Sequence, residues 1–204
     1  MNGKLPESLD GVSVRINNQP ASVYYISPTQ INVLAPETTA DGPAQVTVTA
    51  ANLTSDPVSV EFRRFAPGFF QFPGENAAVV RADGSYIGPA GILDGVTTVA
   101  ARPGETILLY GTGFGTASTA SNTIRVQIHN QQAPVAFAGL VSPGLFQFNV
   151  TVPDLADGDY PVTAEVGGVR TAKFVKLRVA RQTAGALPAG KLRHPLGILR
   201  FAEA

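Results

Sequence analysis

The chain contains two copies of one sequence unit, and this repeat limits the possible folds more than any other feature. The stretch Ile16–Val23 (INNQPASV) is repeated as Ile128–Val135 (IHNQQAPV). Shorter matches follow in the same order: Ser27–Pro28 with Ser142–Pro143, Gln30–Val33 with Gln147–Val150, and Ala40–Gly42 with Ala156–Gly158. Matches that keep their order and nearly keep their spacing indicate two tandem modules built on one plan.

Apolar and polar residues alternate over short stretches in both copies. Examples are Val12–Ile16, Gln45–Thr49 and Ile124–Ile128. Alternation with period two predicts strands, and Asp-Gly or Gly-Gly pairs between the stretches predict tight turns. The 16 prolines and 21 glycines leave no room for a long helix. We therefore predict an all-β protein of two tandem immunoglobulin-like β-sandwich modules.

The two copies are not equally complete. The second is preceded by Arg102–Gly115 (RPGETILLYGTGFG), which has the pattern of an opening strand and a glycine turn. The first copy has only about ten residues before the strand pattern of Val12–Ile16. The first module is therefore expected to lack its opening strand, and the second to carry an extra hairpin from Ala77 to Ile87.

These patterns predict three segments. Residues 1–65 form an N-terminally incomplete immunoglobulin-like module, residues 66–181 form a second such module, and residues 182–204 form a basic tail. The tail holds a short apolar run, Gly197–Phe201. One hypothesis is that this run docks as a strand on the first module, within the same chain or in a homodimer through strand exchange. The alternative is a tail without ordered structure.

Composition excludes several classes of function. Lysine plus arginine and aspartate plus glutamate are both 15, so no net charge favours nucleic acid or an anionic membrane as a partner. The absence of cysteine removes disulfides and thiol chemistry. No apolar run is long enough for a membrane span, and none near Met1 has the form of a signal peptide. If the protein is exported, we expect this chain to be part of a larger protein.

No pattern in the sequence specifies a catalytic site. His129 and His194 are isolated, and no Gly-x-Ser-x-Gly motif occurs, so we predict no metal, no cofactor and no serine triad. Paired carboxylates would suit glycoside hydrolysis. The acids of the second module that could form such a pair are Asp83, Asp94, Glu105, Asp154, Asp157, Asp159 and Glu165. The alternative reading is turn capping and solubility, and Asp157 already has a repeat counterpart in Asp41.

Other residues suggest ligand contacts. Flat rings bind sugars, and Phe69 and Phe70 among them also suit a hydrophobic contact between modules. The candidates are Tyr24, Tyr25, Phe69, Phe70, Phe72, Tyr86, Phe114 and Phe137. Asp154 and Asp159 flank one turn and could bind calcium together with backbone carbonyls.

Amides recur at alternate strand positions of both copies: Gln30, Asn32, Gln147 and Asn149. Residues two apart share one face of a strand. They could bond to nearby backbone or form a polar face for sugars, and the sequence leaves both readings open.

Two motifs resemble known families. The run Arg102–Gly115 is similar to the opening motif of the immunoglobulin-like domains shared by plexins and certain transcription factors. Together with Tyr25–Asn32 (YISPTQIN) and Ala66–Phe70 (APGFF), Leu109–Gly115 also resembles an uncharacterised family of C-terminal domains of large secreted acidobacterial (Solibacter-type) proteins. That resemblance covers about residues 5 to 180. It implies export and a secreted or cell-surface setting, and supplies no catalytic residues.

Three functions remain. The first is a non-catalytic binding or spacer module of a bacterial extracellular protein. The second is a small glycoside hydrolase that uses paired carboxylates, and the third is a carbohydrate-binding module. The expected partner is a carbohydrate or another extracellular protein, and whether the chain is an enzyme is left open.

Overall fold

The computed structural model describes residues 5–36, 41–115 and 123–181. Its contacts divide the chain into two compact units. Unit 1 runs to Arg64 and takes in Ser142–Gly144, and unit 2 holds Phe65–Val141 and the chain from Leu145 onward. A short 3₁₀ helix, Pro73–Glu75, lies in unit 2. Within the described part of the chain, no helix is long and apolar enough to cross a membrane.

Unit 1 is an antiparallel sheet with connected strands in the order β4-β3-β2-β5-β6. β1 pairs with β2, and β7 pairs with β5. The strands are β1 (Ser8–Leu9), β2 (Val12–Ile16), β3 (Gln19–Ser27), β4 (Gln30–Leu34), β5 (Gly42–Ala50), β6 (Leu53–Thr54) and β7 (Val58–Phe62). The register of β3 against β4 shifts between Val23 and Tyr25, which marks a bulge in β3.

Unit 2 contains two sheets. The first has the order β13-β12-β11-β14-β18-β17, with β8 on β14, and the second has the order β16-β15-β19-β21-β10-β9, with β20 on β19. The shorter strands are β8 (Gly68–Phe69), β9 (Gln71–Phe72), β10 (Asn76–Ala77), β11 (Val79–Val80), β12 (Tyr86–Ile87), β13 (Thr98–Val99), β16 (Gln131–Ala133) and β20 (Val169–Arg170). The longer strands are β14 (Thr106–Thr112), β15 (Ile124–Ile128), β17 (Val135–Ser142), β18 (Leu145–Thr151), β19 (Gly158–Val166) and β21 (Val175–Val179).

The core of unit 2 lies between its two sheets. Alternate residues of β14 and β18 point into it, and Leu109 stands opposite Phe148 with both side chains fully buried. The other sheet supplies Val126 from β15 and Leu177 from β21, also buried. Strict alternation places every second residue of these strands in the apolar interior, as an immunoglobulin-like sandwich requires.

Several strand pairings recur in both units, and the predicted all-β, immunoglobulin-like fold is confirmed. In unit 1, β5 lies between β2 and β7, with β3 and β4 forming a hairpin. In unit 2, β19 lies between β15 and β21, with β17 beside β18. Among the described residues, unit 1 has no strand in the place that β14 takes beside β18. The predicted tail, 182–204, lies outside the described residues.

Candidate functional site

The two motifs that carry the family resemblance lie against each other in unit 2. Gly68 and Phe69 pair antiparallel with Thr112 and Gly111, and Phe70 N donates to the carbonyl oxygen of Tyr110 at 2.9 Å. The approach is close because glycine lacks a side chain: a Cβ atom on Gly111 would lie 2.5 Å from the carbonyl oxygen of Gly68. Backbone atoms make this contact, so its role is structural.

Phe69 and Phe70, predicted as sugar-contacting rings, are buried at 6% and 9% exposure. Phe69 packs edge-on against Phe148 at 5.5 Å between ring centroids and lies 5.7 Å from the ring of Phe114. Because these two rings are buried, they cannot offer a flat surface to a sugar. The structure therefore corrects the ligand-contact prediction for these two residues, because the pairing of β8 with β14 turns Phe69 inward.

Tyr24 and Tyr25 are neighbours on β3 and differ in exposure. Tyr25 is 47% exposed, whereas Tyr24 is half-buried and its pKa is raised by burial. Tyr24 lies at the bulge of β3, where the alternation of strand residues is interrupted, and it is the less exposed of the two rings. Tyr25 keeps its place as a candidate ligand contact. Phe137, another ring that the sequence offered as a sugar contact, is exposed to a similar degree at 40%. Phe174, which the sequence did not single out, is 49% exposed.

Asp154 and Asp159, the candidate calcium ligands, each pair with an arginine. Arg178 donates from Nη2 to Asp159 Oδ2 at 2.7 Å, and Arg181 pairs with Asp154. Guanidinium groups in these positions compete with a cation for the carboxylate oxygens. No group of three or more histidine, aspartate or glutamate side chains is placed to hold a metal within residues 5–36, 41–115 and 123–181.

Glu105 forms a mostly enclosed ion pair with Arg81. Arg81 donates from Nε to Glu105 Oε2 and from Nη2 to Oε1, both at 3.2 Å, and also to the carbonyl oxygen of Ala100 at 2.8 Å. Glu105 Oε1 accepts a further bond from the backbone N–H of Arg102 at 2.8 Å. The pair is 19% and 18% exposed. Glu105 therefore anchors the turn that precedes β14.

The aspartates of the repeated Asp-Gly pairs accept equivalent backbone hydrogen bonds in both units. Asp41 Oδ1 accepts a bond from the backbone N–H of Arg64 at 2.6 Å. Asp157 Oδ1 accepts one from the backbone N–H of Arg181 at 2.8 Å. In each unit this bond links the residue just before one strand to the residue two positions after the end of β7 or β21, which agrees with a structural role for Asp157.

Two further acids in the list of paired-carboxylate candidates are also engaged. Glu165 lies 3.9 Å from Arg170, and the backbone N–H of Ser85 donates to Asp83 at 2.9 Å. That hydrogen bond lowers the pKa of Asp83. A general acid in a glycosidase needs the opposite shift, since it must hold its proton at neutral pH.

The repeated amides bond to each other along their strands. Gln30 Nε2 donates to Asn32 Oδ1 at 2.6 Å, and Gln147 Nε2 donates to Asn149 Oδ1 at 2.8 Å. The recurrence of this pair in both units shows a shared local geometry. Each pair leaves the glutamine oxygen and the asparagine nitrogen for other contacts.

A polar depression of about 190 Å³ lies on the outer face of the second sheet of unit 2. It is lined by Arg125, Gln127, Gln132, Thr163, Ala164, Glu165 and Arg170. Strand pairing sets Arg125 opposite Glu165, and Gln127 between Gln132 and Thr163. The alternation in Ile124–Ile128 indicates that Arg125 and Gln127 point to the outer face of a sheet. Which strands lie beside them depends on the topology, which the sequence does not give.

Its all-β architecture, with a two-sheet sandwich in unit 2, places the protein among the immunoglobulin-like proteins. A model described as the IPT/TIG domain matches residues 5–62 and 93–177. The chain belongs to the IPT/TIG domain family. No curated protein matches the chain significantly.

Solved structures share distant similarity with the chain. One is SGBP-B of the Bacteroides ovatus mixed-linkage glucan utilization locus, in complex with a mixed-linkage heptasaccharide, at 12% identity and a TM-score of 0.39, covering 82% of this chain and 38% of that one. Domains 4 and 5 of the S-layer protein SbsC match at 16% identity and a TM-score of 0.27, covering 88% and 74%. The tandem Ig repeats of Dlar match at 15% and 0.23, covering 84% and 82%. The chain spans 38% of the length of the first of these structures.

Proposed function

We propose that the chain is a non-catalytic binding or spacer module of a bacterial extracellular protein, with modules at residues 1–65 and 66–181. The engagement of the candidate acids carries this proposal. Glu105, Asp154, Asp159 and Glu165 each face an arginine, and Asp157 bonds to backbone. Acids held in this way stabilise turns and strands, whereas a glycosidase needs two acids that face a shared cleft.

The resemblance to secreted acidobacterial proteins supports a secreted or cell-surface setting within a larger exported protein. The Asp41 and Asp157 hydrogen bonds to backbone recur in the two units. Such local, repeated contacts suit a spacer, because each module is stabilised by its own contacts. The alternative, a small glycoside hydrolase, would need two of the same acids to face a shared cleft.

A screen against chromogenic glycosides and esters tests the non-catalytic proposal. We expect no turnover above that of buffer. Turnover that falls at least tenfold in Glu105→Gln or Asp159→Asn would overturn it. The folded state of each variant is checked by circular dichroism, so that a loss of activity is not a loss of fold.

Carbohydrate binding is a second candidate function, favoured by the polar depression on unit 2. Arginine and glutamine side chains there offer several hydrogen-bond donors and acceptors on one open face. A glycan array followed by calorimetry tests it. We expect a bound glycan to lose affinity at least tenfold in the double variant Gln127→Ala/Gln132→Ala. The matched variant Gln45→Ala, an exposed glutamine on β5, should bind unchanged.

A further inference from the structure

An exposed tyrosine and an amide pair lie side by side on one face of the β3–β4 hairpin of unit 1. Tyr25 is the cross-strand partner of Asn32, and Ser27 is the partner of Gln30. Residues that are two apart on a strand, or directly opposite each other on paired strands, point to the same face. These four side chains, Tyr25, Ser27, Gln30 and Asn32, therefore form one surface, which we call the Tyr25 surface.

The Tyr25 surface combines an accessible ring with hydrogen-bonding atoms. The ring of Tyr25 is 47% exposed. Beside it, Gln30 Nε2 donates to Asn32 Oδ1 at 2.6 Å, which holds the two amides in fixed orientations. This bond leaves Gln30 Oε1 as an acceptor and Asn32 Nδ2 as a donor. Directly opposite residues have Cβ atoms about 5 Å apart, so one sugar unit can contact both the ring and the amides.

Unit 2 contains the same grouping with a less accessible ring. Tyr110 is the cross-strand partner of Gln147, and Gln147 donates to Asn149 at 2.8 Å. Tyr110 is only partly exposed, and burial raises the pKa of its hydroxyl. A tyrosine beside a Gln–Asn pair is thus common to both units, and the exposure of its ring favours unit 1 as the binding surface.

The charge of the Tyr25 surface favours an uncharged ligand. None of its four side chains is ionisable near neutral pH. A charged ligand would lose hydration there without gaining a countercharge, whereas a neutral one exchanges water for hydrogen bonds of similar quality. A sugar with equatorial hydroxyls also has a flat apolar face of C–H groups, which fits an aromatic ring.

We propose, on the basis of the carbohydrate-binding candidate above, that the Tyr25 surface binds an uncharged glycan whose hydroxyls are mainly equatorial. The ring of Tyr25 stacks on the C–H face of one sugar unit. Gln30 Oε1 accepts a hydrogen bond from a hydroxyl of the glycan, and Asn32 Nδ2 donates one to a hydroxyl oxygen. This site lies in unit 1 and is separate from the polar depression on unit 2.

An NMR titration of the full chain with cellohexaose, an uncharged oligosaccharide with equatorial hydroxyls, tests this proposal. We expect saturable shifts of the side-chain amide signals of Gln30 and Asn32, and none at Gln45, an exposed glutamine on β5. Tyr25→Ala should raise the Kd at least tenfold, whereas Tyr25→Phe, which keeps the ring, should change it by less than about threefold. Phe174→Ala removes a ring that is 49% exposed and should bind as the unchanged chain does.

The double variant Gln30→Ala/Asn32→Ala gives a second measurement that does not alter the ring. We expect it also to raise the Kd at least tenfold, with the fold of each variant checked by circular dichroism. Equal weakening by Tyr25→Ala and Phe174→Ala would overturn the proposal, because the loss would then not be specific to the Tyr25 surface.

The same titration separates this site from the depression on unit 2. Shifts confined to the side chains of Gln127 and Gln132 would overturn the Tyr25 surface and leave carbohydrate binding in place. The absence of any shift with cellohexaose and with xylohexaose at millimolar concentration would also overturn it. The glycan array and the Gln127→Ala/Gln132→Ala variant decide independently whether the depression binds a sugar.

Discussion

The carbonyl of Ala66 occupies the space where Gly113 would carry a side chain. A Cβ atom on Gly113 would lie 1.8 Å from that carbonyl oxygen, and Gly113 O accepts a hydrogen bond from Ala66 N at 2.9 Å. Gly113 also has a φ of 76°, which side chains rarely adopt. Both constraints arise from the same contact between the two motifs that mark the family resemblance.

Gly113→Ala should destabilise unit 2 by at least ~2 kcal/mol, because the new methyl group must displace backbone and not a flexible side chain. Thermal unfolding measures the effect as a fall in Tm of roughly 8 °C or more. Gly84→Ala is the matched control: its φ is 83°, but nothing lies within 4 Å of the added Cβ atom. We expect about 1 kcal/mol there, and equal losses at both positions would contradict the steric argument.

Phe69→Ala should cost about 3–5 kcal/mol, since it opens a cavity among the rings of Phe114 and Phe148. Phe137→Ala removes the same ring from a position that is 40% exposed and should cost less than about 1 kcal/mol. Urea unfolding of both variants measures the difference. If Phe69 instead contacts a ligand and contributes little to the core, the two midpoints will fall together.

Arg81→Ala should destabilise the protein by about 1–3 kcal/mol, because it leaves Glu105 and the carbonyl oxygen of Ala100 without the guanidinium in a mostly buried place. Arg63→Ala is the comparison, since its pair with Glu61 is more than half exposed on both sides. That exposed pair should contribute less than about 1 kcal/mol. Chemical denaturation of the two variants checks the order, and a larger effect at Arg63 would refute it.

Glu75 should titrate below its ordinary value of 4.5, because Lys176 Nζ donates a hydrogen bond to its carboxylate at 2.8 Å and adds a positive charge. A lowered pKa in the folded state stabilises the protein above the unfolded pKa, and this contribution is lost as pH falls through the folded pKa. The same pair raises the pKa of Lys176 above 10.5, so its contribution is lost as pH rises through the folded value.

An NMR titration of the Glu75 carboxyl carbon measures this shift. We expect Lys176→Met to move its pKa back up to the ordinary value. Arg178→Met, two residues along β21, pairs with Asp159 and should leave Glu75 unchanged. Identical titration curves in the unchanged protein and Lys176→Met would show that the ion pair does not form in solution.

The fold could be predicted largely because its signals are local or repeated. Alternation identified β2 and β15, and the repeat related them, so the shared pairings followed from one plan. The burial of Phe69 could not be predicted, because it depends on the pairing of Gly68–Phe69 with residues more than forty positions later in the chain. From sequence alone, an adjacent Phe-Phe pair is equally consistent with buried core residues and with an exposed aromatic surface.

The candidate site was harder to predict for the same reason. Asp154 and Asp159 were identified as acids near one turn, but their arginine partners come 27 and 19 residues later. The contact within each amide pair could be predicted from the sequence, since Gln147 and Asn149 are two residues apart on one face of a strand. The depression on unit 2 was missed, because Arg125 and Arg170 are brought to one face only by the pairing of β15, β19 and β20.

The contact between Ala66–Phe70 and β14 also bears on where the second module can be cut from the chain. The family match to this module begins at residue 93, whereas its core includes Phe69, Ala77, Val79 and Ile87 from upstream strands. A fragment that starts at residue 93 would leave Gly111 and the ring of Phe114 without the backbone that covers them. The smallest autonomous piece should therefore start at Phe65, which means that the stretch matched by the family is shorter than the unit that folds.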